Sequence, residues 1–196
     1  MNSELRLSNN DISFCRVVDH GGVGYFDINS KFYSSSNTYS GNFATSGGVF
    51  LLKDTFIQSE RDTYIGNSAS LNSGVFYIQD SDDQISSFYL STFVDNNSST
   101  AGVCTIMTSE VLFTESSFRS NTNIVYGTIV VIASNLTIFR SKFLDNSVLY
   151  GSGSVLFGSK LNINDVPFSP SLARAYELEL NINVDDSQFI NNTGIV

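Results

Sequence analysis

Several residue types are scarce in this sequence, and their scarcity removes whole classes of site. Among 196 residues there are two prolines, two cysteines, one histidine and no tryptophan. The single histidine, His20, rules out a zinc site built from several histidines. Cys15 and Cys104 lie far apart and no CxxC pair occurs, so we predict neither a disulfide nor a dithiol motif, and expect both to be buried small hydrophobic residues. Walker, dinucleotide-binding and EF-hand signatures are also missing, and we expect no cofactor.

Positive charge is scarce as well. The chain has 10 Lys and Arg against 19 Asp and Glu, a net charge of −9 and a pI near 4.3. Such a surface repels phosphate backbones, so nucleic acid is not an expected partner. No apolar run reaches the roughly 18 residues of a membrane span, and the first residues do not resemble a signal peptide. We expect no membrane span in this segment, and either a chain that is not secreted or part of a longer one.

The sequence does contain a repeat. Its 16 Phe and 9 Tyr, with many Ser, Asn and Thr, are typical of strands separated by turns. An aromatic residue followed three positions later by Asn recurs six times. The six motifs are Tyr39–Asn42, Tyr64–Asn67, Phe93–Asn96, Phe118–Asn121, Phe143–Asn146 and Phe189–Asn192. Their spacings are 25, 29, 25, 25 and 46 residues, and the last gap is either two short coils or one coil with an insertion.

A glycine that follows each Asn opens a short apolar run typical of a strand. The runs are Gly48–Leu52, Gly74–Ile78, Gly102–Ile106, Gly127–Val131 and Gly153–Phe157. Because strand side chains alternate, the second and fourth residues after the glycine are predicted to point inward. These are Phe50, Leu52, Phe76, Ile78, Cys104, Ile106, Ile129, Val131, Val155 and Phe157. The first and third positions are predicted to point outward, and the apolar residues among them, Val49, Leu51, Val75, Val103 and Val130, suggest a covered face.

A second alternating strand precedes each aromatic residue. Its predicted inward residues are Phe88, Val111, Phe113, Leu136, Ile138, Ile182 and Val184. A Ser also recurs two positions before the aromatic residue, at Ser91, Ser116, Ser141 and Ser187. The repeating unit is therefore strand, turn, strand, turn.

Short strands with no helix between them cannot form βαβ crossovers, whereas a solenoid lets each strand pair with its equivalent one turn later. We predict an all-β, right-handed parallel β-helix with about 25 residues per coil and about 7–8 coils. Residues 1–196 would form a single domain, part of a longer β-helix, with a loop inserted at 164–177. Stacking would place the six aromatic residues in one ladder and the six Asn residues in another, where an amide can satisfy backbone groups on both sides. A β-sandwich is the remaining alternative.

These motifs resemble the paired FxxN and GGA(I/L/V) repeats of polymorphic outer membrane proteins, and more broadly pectin-lyase-like β-helices of large surface proteins. The FxxN half matches from Tyr39 to Asn192, while in the GGA half only Gly21–Val23 and Gly47–Val49 come close. The resemblance implies adhesion, surface display or scaffolding, with an extracellular or cell-surface location. It also implies protein partners, through end-to-end or lateral packing of β-helices into a larger assembly.

The same fold hosts polysaccharide lyases and glycoside hydrolases, which need converging acidic and basic side chains. The pairs Asp82–Asp83 and Asp185–Asp186 and the fragment His20–Gly22 are the nearest candidates, and we interpret them as turn residues, with no catalytic, cofactor-binding or metal residue. Candidate glycosylation sequons begin at Asn96, Asn97, Asn135 and Asn191. The expected function is a non-enzymatic structural or adhesive module, and the alternative is a carbohydrate-active or carbohydrate-binding β-helix with a glycan as ligand.

Overall fold

A computed structural model describes residues 3–81, 84–150, 156–159 and 180–194 of the chain. These residues contain strands, turns and bends, and no helix. Every strand pairing is parallel, and each strand pairs with its equivalent in the next turn. The result is a β-solenoid of about six turns, which confirms the predicted all-β parallel solenoid with slightly fewer turns than the 7–8 coils expected. The right-handedness and the length of about 25 residues per coil stay predictions.

The strands form three sheets that run the length of the solenoid. Sheet A contains β1 (Glu4–Ser8), β3 (Gly24–Ser35), β6 (Phe50–Glu60), β9 (Phe76–Gln79), β10 (Ser86–Tyr89), β13 (Ala101–Met107), β14 (Glu110–Thr114), β17 (Gly127–Ile132), β18 (Asn135–Phe139), β21 (Leu156–Ser159) and β22 (Asn181–Asp185). Sheet B contains β2 (Asp11–Ser13), β4 (Thr38–Ser40), β7 (Thr63–Ile65), β11 (Thr92–Val94), β15 (Ser117–Arg119), β19 (Lys142–Leu144) and β23 (Gln188–Ile190). Sheet C contains β5 (Phe43–Ser46), β8 (Ser68–Asn72), β12 (Asn97–Ser98), β16 (Thr122–Asn123), β20 (Ser147–Val148) and β24 (Thr193–Gly194).

The register across the last described turn explains the 46-residue spacing. Phe143 pairs directly with Phe189 in sheet B. The Nδ2 of Asn146 donates a hydrogen bond to Oδ1 of Asn192 at 2.9 Å, although these two residues are 46 positions apart. The long spacing is therefore one turn that carries an insertion, which also accounts for the smaller number of turns. The predicted loop at 164–177 lies outside the described residues. Gly153 and Val155, from the predicted apolar run Gly153–Phe157, also lie outside them.

The core is built from columns of inward side chains. The predicted aromatic ladder is continuous, with ring centroids of Tyr39 and Tyr64 5.0 Å apart and those of Phe118 and Phe143 4.3 Å apart, both pairs stacked. The last ring, Phe189, lies 4.9 Å from Phe143. The second strand also points as predicted, because Phe88, Val111, Phe113, Leu136 and Ile138 are buried. Stacked rings at this spacing remove large apolar areas from water and fix the register between turns.

One predicted orientation is wrong. Val49, Val75 and Val103, the first residues after the glycines, were expected to point outward, but they are fully buried members of the core. The carbonyl of Val75 accepts hydrogen bonds from the backbone N of both Val49 and Phe50, each at 3.0 Å. Two residues thus face one partner, as in a β-bulge, so alternation fails at this corner and neighbours both point inward.

The third residues after the glycines form a column on sheet A in which Leu51 pairs with Tyr77 and Thr105 pairs with Val130. Leu51, Thr105 and Val130 are buried and Tyr77 is half-buried. Both cysteines are free thiols; Cys104 is buried, as predicted, but the prediction that Cys15 is buried is wrong. Cys15 is half-buried, because it belongs to the first described turn and has a neighbour on one side only.

Candidate functional site

The six Asn residues of the repeats form one hydrogen-bonded ladder at the corner between sheets B and C. Its members are Asn42, Asn67, Asn96, Asn121, Asn146 and Asn192. The Oδ1 of Asn96 accepts from the backbone N of Asn67 at 3.0 Å and from its Nδ2 at 3.1 Å. The Nδ2 of Asn67 also donates to the carbonyl of Tyr39 at 2.9 Å. The four interior rungs, Asn67, Asn96, Asn121 and Asn146, each use both N–H donors and both acceptor positions of the side-chain oxygen, so these buried amides are fully satisfied.

The ladder has a direction, because each Asn oxygen caps the turn before it. In the first described turn, Ile12 and Cys15 stand where later turns have an aromatic residue and Asn, and the backbone N of Cys15 donates to Asn42 Oδ1 at 3.0 Å. At the other end, no described residue offers a side-chain oxygen to the backbone N–H of Asn192.

A left-handed residue precedes every rung of this ladder. The residues and their φ angles are Phe14 (55°), Gly41 (61°), Gly66 (62°), Asp95 (54°), Ser120 (53°), Asp145 (55°) and Asn191 (52°). Gly, Asn and Asp tolerate this conformation best, which explains why they recur just before the Asn. Sequence reasoning missed this rule, although the third position of the motif carried the signal.

A second polar ladder lies at the corner between sheets A and B. Its rungs occupy the position two residues before the aromatic ladder: Asn10, Asn37, Asp62, Ser91, Ser116, Ser141 and Ser187. The backbone N of Asn37 donates to Asp62 Oδ1 at 2.7 Å, and that of Ser116 donates to Ser141 Oγ at 3.1 Å. The recurrent Ser residues indicated part of this column, but its Asn and Asp rungs were not recognised.

Asp62 is the centre of a buried polar cluster in the early turns. Its Oδ2 accepts from Ser59 Oγ at 2.7 Å and from the Tyr64 hydroxyl at 3.3 Å, and the Tyr39 hydroxyl lies 2.8 Å from Ser34 Oγ. Burial raises the pKa of Asp62 above its ordinary value, although the hydrogen bonds it receives act in the opposite direction. Burial, followed by the nearby Asp62 carboxylate, also raises the pKa of Tyr64. Tyrosine replaces phenylalanine in the aromatic ladder where its hydroxyl can join this cluster.

A third ladder divides sheet A into two faces. Thr55, Ser81, Ser109 and Ser134 each follow a left-handed residue, and the backbone N of Ser81 donates to Ser109 Oγ at 3.0 Å. The chain therefore makes these three corners in the same way, with a left-handed residue followed by a side chain that is polar in nearly every turn and caps the preceding turn. This rule places polar residues inside the solenoid without leaving their neighbours' N–H groups unpaired.

The glycines before the apolar runs stack backbone against backbone. A Cβ on Gly48 would lie 2.2 Å from the carbonyl oxygen of Gly74, and a Cβ on Gly74 would lie 2.4 Å from that of Gly102. Gly22 meets Gly48 in the same way at 2.2 Å. At Gly22, Gly48 and Gly74 the glycine of the repeat is therefore a steric requirement of close packing between turns, whereas a Cβ on Gly102 would meet nothing closer than 3.2 Å.

The candidate catalytic residues do not converge among the described residues. His20 Nε2 lies 3.1 Å from its neighbour Asp19, and both side chains are largely exposed. Asp186 lies 3.4 Å from Arg140 Nε, while Asp185 is exposed on sheet A. Asp82 and Asp83 lie outside the described residues. Within the described part of the chain, no three His, Cys, Asp or Glu side chains are grouped so that they could hold a metal ion.

The sequons differ in accessibility. Asn96 is fully buried, and its Nδ2 donates to Tyr64 O and Asn121 Oδ1, so this atom cannot carry a glycan in the folded chain. Asn97 and Asn191 are exposed, and Asn135 is half-buried with its Oδ1 bonded to Asn181. None of the described residues belongs to a helix that could span a membrane.

A groove of about 600 Å³ crosses the outer face of sheet A over the first four turns. Its lining includes Arg6, Tyr33, Gln58, Glu60 and Tyr89. The Arg6 guanidinium lies 4.1 Å above the Tyr33 ring, and Glu60 pairs with Arg61 at 2.5 Å. The charged groups of Arg6 and Glu60 therefore already interact with neighbouring side chains. The Gln58 amide and the Tyr89 ring offer a ligand neutral polar and aromatic contacts.

Comparison of the chain with protein-family models, curated proteins and solved structures gave no match. The likeness to polymorphic outer membrane protein repeats thus depends on the motifs in the sequence. The class of protein that the fold defines is a parallel β-solenoid repeat protein.

Proposed function

We propose that this chain is a non-enzymatic structural or adhesive solenoid module, displayed outside the cell or on its surface, whose end faces bind further β-coils. The observation that carries this proposal is the directional Asn ladder, which presents the backbone N–H of Asn192 without an acceptor among the described residues. A coil with a side-chain oxygen at this position would continue the ladder without any change in register.

The end turns also expose apolar side chains that interior turns bury. Phe189 is 44% exposed and Val184 38% exposed, whereas their equivalents Phe143 and Ile138 are at 0%. In the first described turn Leu5 is 39% exposed, whereas its pairing partner Phe32 in the next turn is at 0%. Strand edges and apolar rings together form a template for one more turn, either of the same chain or of a partner.

Sedimentation velocity over a range of protein concentrations tests end-face binding. Phe189→Lys places a charge on the last aromatic rung and is expected to weaken association by at least about tenfold. Leu90→Lys, at a residue 37% exposed in an interior turn, is the matched control and should associate like the native chain. An unchanged association of Phe189→Lys, or the same loss in the control, would contradict end-face binding.

Carbohydrate binding is the second candidate function, and the groove on sheet A is the observation that favours it. The exposed Tyr89 ring can stack on the apolar face of a sugar, while Gln58 and the surrounding hydroxyls can bond its OH groups. Titration with neutral and acidic oligosaccharides, followed by amide NMR shifts, tests binding in this groove. New reducing or unsaturated ends after incubation with acidic polysaccharides would overturn the non-enzymatic assignment.

A further inference from the structure

Sheet C differs from the other sheets in its charge. Its six strands read FATS, SASLN, NS, TN, SV and TG, so none of these described strands contains an ionisable side chain. Sheet B contains Asp11, Arg119 and Lys142, and sheet A contains Lys31 and Glu110 among others. In a chain with a net charge of −9, this face is uncharged from β5 to β24.

An exposed apolar ridge borders sheet C at the corner that leads back to sheet A. It consists of Leu71 (55% exposed), Ile124 (43%), Val125 (40%), Leu149 (48%) and Tyr150 (68%). The ridge spans four turns, since the backbone N of Thr100 donates to Leu71 O at 3.0 Å, that of Ile124 to Ser99 O at 3.2 Å and that of Tyr150 to Ile124 O at 2.6 Å. The turn of Ser99 and Thr100 contributes no apolar side chain and separates Leu71 from the rest. The other four side chains, Ile124, Val125, Leu149 and Tyr150, lie in two adjacent turns and present on the order of 300–400 Å² of apolar surface, a size at which a patch on a soluble protein is often functional.

A shallow groove of about 520 Å³ runs beside the ridge across the strands of sheet C. It is lined by small hydroxyl and amide side chains such as Asn97, Thr122 and Ser147, together with Ile124 and Leu149. The hydroxyl and amide groups of this lining can form hydrogen bonds but cannot form ion pairs. The carboxylates of Asp95 and Asp145 lie at the opposite corner of the sheet, each one residue before a rung of the Asn ladder. Asp19 adjoins β5 in the first described turn, where its carbonyl accepts from the backbone N of Thr45 at 2.9 Å.

We propose that the ridge and groove of sheet C form a lateral interface with a second copy of this chain. Two copies with a charge of −9 each repel through most of their surface, and the uncharged face is where this repulsion is smallest. A basic or acidic partner would find no charged side chain to pair with on these strands. The second copy needs none, since it presents the same apolar ridge and the same hydroxyl and amide groups.

The order of residues along the ridge suits a two-fold arrangement. An axis perpendicular to the solenoid, between the turns of Thr100 and Ile124, places Leu71 of one copy opposite Leu149 and Tyr150 of the other. The small Thr100 then faces the larger Ile124, so a low point of one ridge meets a high point of its partner. Closed two-fold contacts of this kind produce a dimer and not a filament.

This inference rests on the proposed function in assuming an assembling module, but it uses a side of the solenoid and not an end. Sedimentation velocity in reducing buffer, over a roughly hundredfold concentration range, should detect a reversible dimer of the native chain. Ile124→Lys and Leu149→Lys should each weaken it by at least about tenfold, because each buries an ammonium against an apolar partner. The matched control is Ile65→Lys, which adds the same charge at a sheet B residue 38% exposed and should change the dissociation constant less than about threefold.

Salt provides a second readout. Raising the salt concentration should strengthen this dimer, because it screens the repulsion between two acidic copies and there are no interfacial ion pairs to weaken. The proposal would be overturned if the native chain stays monomeric at all concentrations or if salt dissociates the dimer. It would also be overturned if Ile65→Lys raises the dissociation constant as much as Ile124→Lys does. Association that Phe189→Lys abolishes and Ile124→Lys leaves intact would overturn the lateral interface while supporting end-face binding. Circular dichroism and melting curves identify any variant that has merely unfolded.

Discussion

Asn146 Oδ1 accepts two hydrogen bonds from Asn121, one from its backbone N at 3.0 Å and one from its Nδ2 at 3.0 Å. This relation repeats along the corner between sheets B and C and makes each turn dependent on the next. The Asn121 amide also donates to the Phe93 carbonyl at 3.0 Å. One side chain thus satisfies two backbone groups of the preceding turn, Asn96 N and Phe93 O.

Replacing Asn121 should therefore be costly. Asn121→Ala leaves the backbone N of Asn96 and the carbonyl of Phe93 buried without their partner, and the free energy of unfolding should fall by about 2–4 kcal/mol. The control is Asn97→Ala at an exposed position one residue beyond the ladder, which should change it by less than about 0.5 kcal/mol. Urea denaturation measures both, and equal losses would contradict a specific role for the ladder.

The glycine stack predicts a contrast between two glycines. Gly74→Ala places a methyl group against the Gly102 carbonyl oxygen, where the ideal distance is only 2.4 Å, and should lower the free energy of unfolding by about 3 kcal/mol or more. Gly66 has a positive φ of 62° but open space around it, so Gly66→Ala should lose only about 1–2 kcal/mol. Thermal denaturation ranks the two variants, and a milder effect at Gly74 would refute the steric explanation.

Phe14 is an aromatic residue in a left-handed conformation, with φ of 55°, and it is 75% exposed. Later turns use Gly, Asp, Ser or Asn at this position. Phe14→Asn should therefore raise the free energy of unfolding by up to about 1 kcal/mol, because Asn tolerates this φ and little burial is lost. Phe143→Asn, in the core at 0% exposure, provides the opposite extreme and should be strongly destabilising. The Phe14 ring lies beside Gly41, and a less stable Phe14→Asn would show that this packing stabilises the first described turn.

The buried Asp62 predicts an unusual pH dependence. Its pKa in the folded chain is raised above the unfolded value of about 4, so the fold favours the protonated carboxyl. This contribution to stability is complete below pH about 4 and is lost as the pH rises through the folded pKa. The free energy of unfolding of Asp62→Asn minus that of the native chain should thus increase with pH over this window, with a slope of at most about 1.4 kcal/mol per pH unit. Urea denaturation of both proteins at a series of pH values tests the sign, and a difference that falls as the pH rises would contradict the raised pKa.

The two cysteines should differ in reactivity. Cys104 is fully buried, and burial raises the pKa of its thiol, whereas Cys15 is half-buried in the first described turn. A thiol reagent should therefore modify one cysteine rapidly in the folded protein and both in urea. Cys15→Ser should remove the rapid phase, and a rapid phase that persists in this variant would indicate that the core around Cys104 opens.

Some parts of the fold could be read from local pattern. The recurrence of Phe or Tyr with Asn predicted the stacked ladders, and alternation predicted the buried residues of the second strand, such as Phe113 and Ile138. The direction of Val49, Val75 and Val103 was wrong because alternation holds only within a straight strand. The bulge after each glycine depends on a carbonyl of the next turn, which the local sequence does not contain.

By itself, the sequence determined the parallel solenoid and its aromatic and Asn ladders, because identical residues at a regular spacing must stack when strands pair in register. Only the tertiary structure decided what meets between turns. It assigned the 46-residue spacing to one turn, joined Asn37 and Ser91 of the neighbouring turns to the buried cluster of Asp62 and Ser59, and left sheet C as an uncharged face with an apolar ridge. Those features depend on contacts between residues of different turns, and their position is set by the corners of the coil.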